Sequence, residues 1–193
     1  DATLADPAAI PAFEWANRPG FAYGGGLYHV KADYRLMIDN LMDLTHETYV
    51  HSTSIGQKEI DEAPVATRVT DDEAIAERIM DNVASPPFWR MAQRANGQDD
   101  QAPVDRWQVC RFSRPSHVMI EVGVARAGTG GRHAPDETRT SAVVVDFITP
   151  ETETSHWYFW GMARQFKTDD AELTATICEG QGAIFAEDLE LLE

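Results

Sequence analysis

The sequence is short of cysteine. It carries two, Cys110 and Cys178, in 193 residues. That is too few for a disulfide framework and makes the cytoplasm the expected compartment. Basic residues are scarce as well: 16 Lys and Arg stand against 32 Asp and Glu, a formal net charge of −16. So acidic a surface repels phosphate backbones and anionic lipid, which argues against nucleic-acid and membrane partners. Long apolar runs are also missing. None approaches the ~20 residues that a membrane-spanning helix needs, and no signal peptide is visible. The Gly-rich stretch GTGGRHAPDETR (128–139) lacks the G-K-[ST] ending and the following helix start of a phosphate-binding loop.

What remains is an ordinary globular composition, 43% hydrophobic and 25% charged, long enough for one domain with a sizeable core. Residues 1–25, rich in Ala, Pro and Gly, read as a linker with little regular structure. The chain starts at Asp1 and stops at Glu193 inside a helical pattern, and the expectation is a piece of a longer protein with its domain at 26–193. GLYHVKADYRL (26–36) alternates like a strand, and MIDNLMDLTHETYVH (37–51) has helical spacing. Residues 57–83 read as two strands with a turn at TDDE, and SPPFWRMAQRANG (85–97) as a loop or short helix. Two strands broken at SRPS follow in 106–125, then a hairpin in 140–166 that turns at TPETET. The last 25 residues form a helix, with Asp169 and Glu172 placed as a capping box. About six mostly antiparallel strands followed by one helix make an α+β fold, the helix laid against a curved sheet.

The stretch DNLMDLTHETYVH (39–51) puts acids and histidines where a core should be. Asp43 and His46, three apart, share a helix face. His46 and His51, five apart, point ~140° from each other on an ideal helix. They reach one metal only if the helix ends or bulges between them. The i, i+4 zinc-protease spacing is absent. Asp43 sits where a carboxylate can bond the ring nitrogen of His46 that does not bind metal. On the C-terminal helix, Leu173, Ile177, Ile184, Phe185 and Leu189 define an apolar arc. Asp188 falls in its middle and Glu187 just outside. A carboxylate buried there is costly unless it is paired or bound to metal. Two His and one carboxylate form the facial triad of non-haem Fe(II) oxygenases, although zinc accepts the same ligands.

DNLMDLTHETYVH, DFITPETETSHWYFWG and GQGAIFAEDLELLE together resemble the catalytic domain of the Rieske non-haem iron oxygenases, in their aromatic O-demethylase branch. The N-x2-D-x2-H-x4-H pattern is specific to that family, and the likeness runs from about Tyr23 onward. The resemblance implies a helix-grip fold, with His46, His51 and Asp188 holding a mononuclear Fe(II). It implies that Asp43 bonds His46 and bridges toward a [2Fe–2S] Rieske cluster on a neighbouring subunit of a homotrimer, with Asn40 at the same interface. A Rieske centre needs two Cys and two His, and no Cys here is followed by x-His, so the Rieske domain is expected upstream, outside this chain. The implied reaction takes O2 and two electrons from NADH, through a separate flavin and iron–sulfur reductase. It converts a methoxybenzoate such as vanillate into a phenol (protocatechuate) and formaldehyde.

For such a substrate, Asp146, which interrupts SAVVVDFI, is a candidate to bond a phenolic hydroxyl if it faces the pocket. Phe88, Trp89, Phe147 and Trp157 to Trp160 are candidate ring contacts. Arg90, Arg111 and Arg114 are candidates for the carboxylate. Two other readings compete: a zinc hydrolase built on the same triad, and a metal-free helix-grip module that binds a ligand. Asn40 and Asp43 have no task in either.

Overall fold

The computed structural model describes residues 6, 7, 11, 13–71 and 73–193. Most of the first dozen residues of the expected linker, and Asp72 of the TDDE turn, therefore lie outside the described residues.

Seven antiparallel strands form one sheet in the order β1-β7-β6-β5-β4-β3-β2. They are β1 Ala22–Val30, β2 Val65–Val69, β3 Glu73–Val83, β4 Val104–Ser113, β5 His117–Arg126, β6 Arg139–Thr152 and β7 Ser155–Arg164. Four helices interrupt the strands: α1 Tyr34–Met42, α2 Glu47–Val50, α3 Glu59–Glu62 and α4 Pro87–Ala95. The long α5, Ala171–Leu192, closes the chain. The expected hairpins are present in register: Cys110 faces Ile120 across β4 and β5, and Val144 faces Met162 across β6 and β7. Irregularities between Met80 and Val83, and between Pro150 and Thr152, are of the kind that bends a sheet.

One face of the sheet carries Val118, Val144, Ile148, Tyr158 and Met162, which are buried with Ile177, Ile184 and Phe185 of α5. Tyr158 and Trp160 meet the Phe185 ring edge-on, an aromatic geometry that adds to simple burial. This is the helix-grip architecture expected from the sequence.

The sequence reading needs four corrections. The first strand starts at Ala22, inside the segment read as linker, and stops at Val30. Its glycines serve packing: a Cβ at Gly24 would lie 2.3 Å from Cys178 Sγ of α5. The helix expected over 37–51 starts at Tyr34 and breaks after Met42, because Asp43 takes an extended conformation. QKEIDE is the helical turn α3, with Ile60 as its buried residue; one apolar position cannot sustain a strand face. Finally, α5 is capped by Asp170, whose side chain accepts from Leu173 N at 2.9 Å. Asp169 and Glu172 do not form the expected box.

Candidate metal centre

Local breaks in helix geometry build the site. After α1 the chain turns at Asp43, and the single turn of α2 begins with His46 as its N-cap. His51 is the C-cap, with φ −104° and ψ 32°. The expected break between the two histidines is not there: they cap opposite ends of the single turn Glu47–Val50, and His51 at its end leaves helical geometry. Gly56 tightens the return: its N–H donates to His51 O at 2.8 Å, and a Cβ there would lie 2.7 Å from Glu47 O.

His46 Nε2 and His51 Nε2 lie 3.2 Å apart. Asp188 Oδ1, from α5, is 3.0 Å from His51 Nε2 and 3.6 Å from His46 Nε2. His51 is 2% exposed and Asp188 3%. Asp188 Oδ1 nevertheless has no hydrogen-bond partner among the described residues. Three potential metal-ligand atoms therefore cluster within 4.8 Å of one another. With metal–ligand bonds of ~2.0–2.2 Å, donors on one face of a coordination sphere lie ~3–3.5 Å apart. The observed spacings fit a cation, and the donor set of two imidazoles and one carboxylate is that of the facial triad.

Glu187 adds a contact that sequence reasoning missed. Its Oε2 lies 2.6 Å from His51 Nδ1. Burial pushes the His51 imidazole down in pKa, but its contacts with Asp188 and Glu187 outweigh this and hold it above its ordinary value. The same negative field that favours a proton on His51 favours a cation at Nε2. The available signal was the position of Glu187 at the rim of the apolar arc, beside Asp188.

Asp43 and Asn40 stand at the mouth of the same site. Asp43 Oδ1 accepts from the backbone N–H and the hydroxyl of Thr45, both at 2.7 Å. Burial raises its pKa, and the Thr45 bonds outweigh that to leave it lowered. Its Oδ2 lies 3.6 Å from His46 Nδ1, too far for the expected hydrogen bond; the two groups are neighbours. Asn40 lines the cavity, and its buried Nδ2 has no partner among the described residues.

The cavity around the triad has a volume of ≈ 80 Å³ and is walled by apolar side chains including Phe88, Ile120, Val122, Val144 and Met162. Of the candidate ring contacts, Phe88 and Trp89 line it. Tyr158 and Trp160 belong to the core, and Trp157 and Phe159 are exposed. Asp146 is a correction. It is fully buried and accepts from Tyr158 Oη at 2.8 Å, but it is not among the lining residues. Burial pushes its pKa up to about 8 against the opposing effect of the Tyr158 bond. None of the three candidate arginines lines the cavity either. Arg111 pairs with Glu73 and Glu121, Arg90 donates to Ser85 O at 2.7 Å, and Arg114 is exposed. The arginine that does line it is Arg106.

Comparison with known proteins supports the same reading. Residues 30–193 match the family described as the vanillate O-demethylase oxygenase C-terminal domain. The chain belongs to that family. A vanillate O-demethylase oxygenase subunit from Pseudomonas sp. (strain ATCC 19151) is 69% identical over 193 residues, covering 100% of this chain and 59% of the relative. The crystal structure of dicamba monooxygenase bound to 3,6-dichlorosalicylic acid superposes with a TM-score of 0.87 at 33% identity, covering 100% of this chain and 54% of that one. Dicamba monooxygenase with non-haem iron and dicamba gives 0.73 at 31% identity, covering 100% and 52%. The chain thus spans between half and three-fifths of the length of these relatives. Among these relatives, dicamba monooxygenase is the one described with non-haem iron. No helix among the described residues is long and apolar enough to cross a membrane.

Proposed function

We propose that this chain is the catalytic part of a Rieske-type aromatic monooxygenase that O-demethylates a methoxybenzoate such as vanillate. The observation that carries the proposal is the convergence of His46 Nε2, His51 Nε2 and Asp188 Oδ1 in a cavity whose other walls are largely apolar. The name of the 69% identical relative supports the choice of substrate.

His46, His51 and Asp188 would hold Fe(II), which when bound supplies the activation of O2 with two electrons. The remaining tasks fall to the side chains. Phe88, Ile120, Val122 and Val144 seat the ring and keep water out. Glu187 orients His51 through its second ring nitrogen. In the overall reaction one oxygen atom of O2 enters a methoxy C–H bond, and the other leaves as water with two electrons and two protons. The resulting hemiacetal loses formaldehyde and leaves the phenol.

The electrons would come from NADH through a separate flavin and iron–sulfur reductase, by way of a [2Fe–2S] Rieske cluster held outside this chain. A separate Rieske domain would carry that cluster, with the residues before β1 at Ala22 as its linker. Asp43 is suited to stand between cluster and metal site, because its side chain is 43% exposed yet lies beside His46. The family resemblance adds a homotrimer, in which a neighbouring subunit would bring its cluster to Asp43, with Asn40 at the same boundary. Cys110 and Cys178 are both free, and the cytoplasm is the compartment this reading assigns.

The test is reconstitution of the full-length oxygenase with reductase, NADH, O2 and vanillate. Formaldehyde released in step with NADH oxidation supports the proposal. Product formed equally well without O2 contradicts it and favours hydrolysis.

A further inference from the structure

A second polar group lines the cavity and takes no part in the triad. Arg106 and Gln108 point inward from β4, and Glu47 joins them from α2. Arg106 is 1% exposed and Gln108 5%. Arg106 Nη1 donates to Gln57 Oε1 at 2.6 Å, and Nη2 to Glu47 Oε2 at 3.4 Å. Gln108 Nε2 donates to the other Glu47 oxygen at 2.6 Å. A second guanidinium, that of Arg78, is also 1% exposed and lies 3.7 Å from Glu47 Oε1. Gln57 in turn donates to Glu59 Oε2 at 3.1 Å, and the carboxylates of Asp43 and Asp61 act on Arg78 without forming an ion pair with it.

One buried carboxylate thus stands between two buried guanidiniums. Donors outnumber acceptors. A guanidinium offers five N–H groups, and Nε of both Arg78 and Arg106 has no partner among the described residues. A surplus of buried positive charge and unused donors is costly unless an anion completes it. A planar carboxylate matches the guanidinium fork best.

We infer that Arg106, with Gln108 beside it, receives the carboxylate of the aromatic acid, and that Glu47 positions the guanidinium for it. The inference rests on the methoxybenzoate reading and adds the residues that select an acid. Glu47 directly follows the ligand His46, so one helical turn fixes both the anion seat and the metal ligands. An acid held at Arg106 then presents its ring to the apolar wall of Ile120, Val122 and Val144.

The experiment measures equilibrium binding of 4-hydroxy-3-methoxybenzoate and of its neutral analogue, 4-hydroxy-3-methoxybenzyl alcohol, to the iron-loaded full-length oxygenase. Wild type binds the acid at least ~10-fold more tightly. R106Q weakens the acid by ~10- to 100-fold and the alcohol by less than ~3-fold, and R106K recovers part of the loss. Equal weakening of both compounds, or of neither, overturns the inference and leaves the demethylase reading standing. If R106Q does not fold, the wild-type ratio decides, and equal affinity for acid and alcohol overturns the inference. Wild type that binds neither compound overturns the methoxybenzoate reading itself, and the inference with it.

Discussion

Glu187 Oε2 lies 2.6 Å from His51 Nδ1, while the opposite nitrogen of the same ring faces Asp188 Oδ1 at 3.0 Å. Consecutive residues of α5 thus grip both sides of one imidazole. A carboxylate behind a ligand histidine fixes its tautomer and orientation, and losing it costs roughly 10- to 100-fold in metal affinity. Glu187→Gln is expected to weaken iron binding by that factor while leaving the fold intact. Competition against a chelator, followed by the melting temperature of the metal-free protein, measures both. Unchanged affinity would reduce Glu187 to a surface acid.

Asp146 predicts a pH dependence. Its carboxyl is held neutral up to about pH 8 in the folded protein, whereas an unfolded chain releases that proton near pH ~4. Between these values the folded state binds the extra proton, so stability falls as pH rises, by up to ~1.4 kcal/mol per pH unit. Asp146→Asn removes this slope. Urea titrations are expected to show the two proteins equal near pH 4 and the variant more stable above pH 8. A difference that does not vary with pH would contradict the buried neutral carboxyl.

The cap of α5 separates two neighbouring acids. Asp170 accepts from Leu173 N, so Asp170→Ala is expected to cost ~1 kcal/mol. Asp169→Ala, without a capping bond, stays within ~0.5 kcal/mol. Denaturant midpoints of the two variants distinguish them, and the reverse order would restore the sequence-based cap.

Much of this was legible in the sequence, for identifiable reasons. Asp188 stood out because a charge in the apolar arc of α5 breaks a 3.6-residue pattern, and the structure buries it beside both histidines. The strand pairs of residues 104–126 and 139–164 were readable because their apolar runs end at turn residues. Three features were hidden. Gly24 and Gly25 read as linker because glycine signals loops, although a Cβ at Gly24 would meet Cys178 of α5 and one at Gly25 the Trp160 backbone of β7. The break after Met42 was invisible because Asp43 gives up helical geometry to bond Thr45. Arg106 has no motif around it that marks it out by residue type. Its signal was position, since Val104–Cys110 is buried throughout, and a charge in such a strand must face a partner or a ligand.

The most direct measurement is the metal content of anaerobically purified protein beside Asp188→Ala. The expected result is about one iron per chain in the wild type and almost none in the variant, with His46→Ala behaving likewise. Iron retained in both variants, or zinc in place of iron in the wild type, would contradict the assignment of His46, His51 and Asp188 as the ligands of a non-haem iron oxygenase.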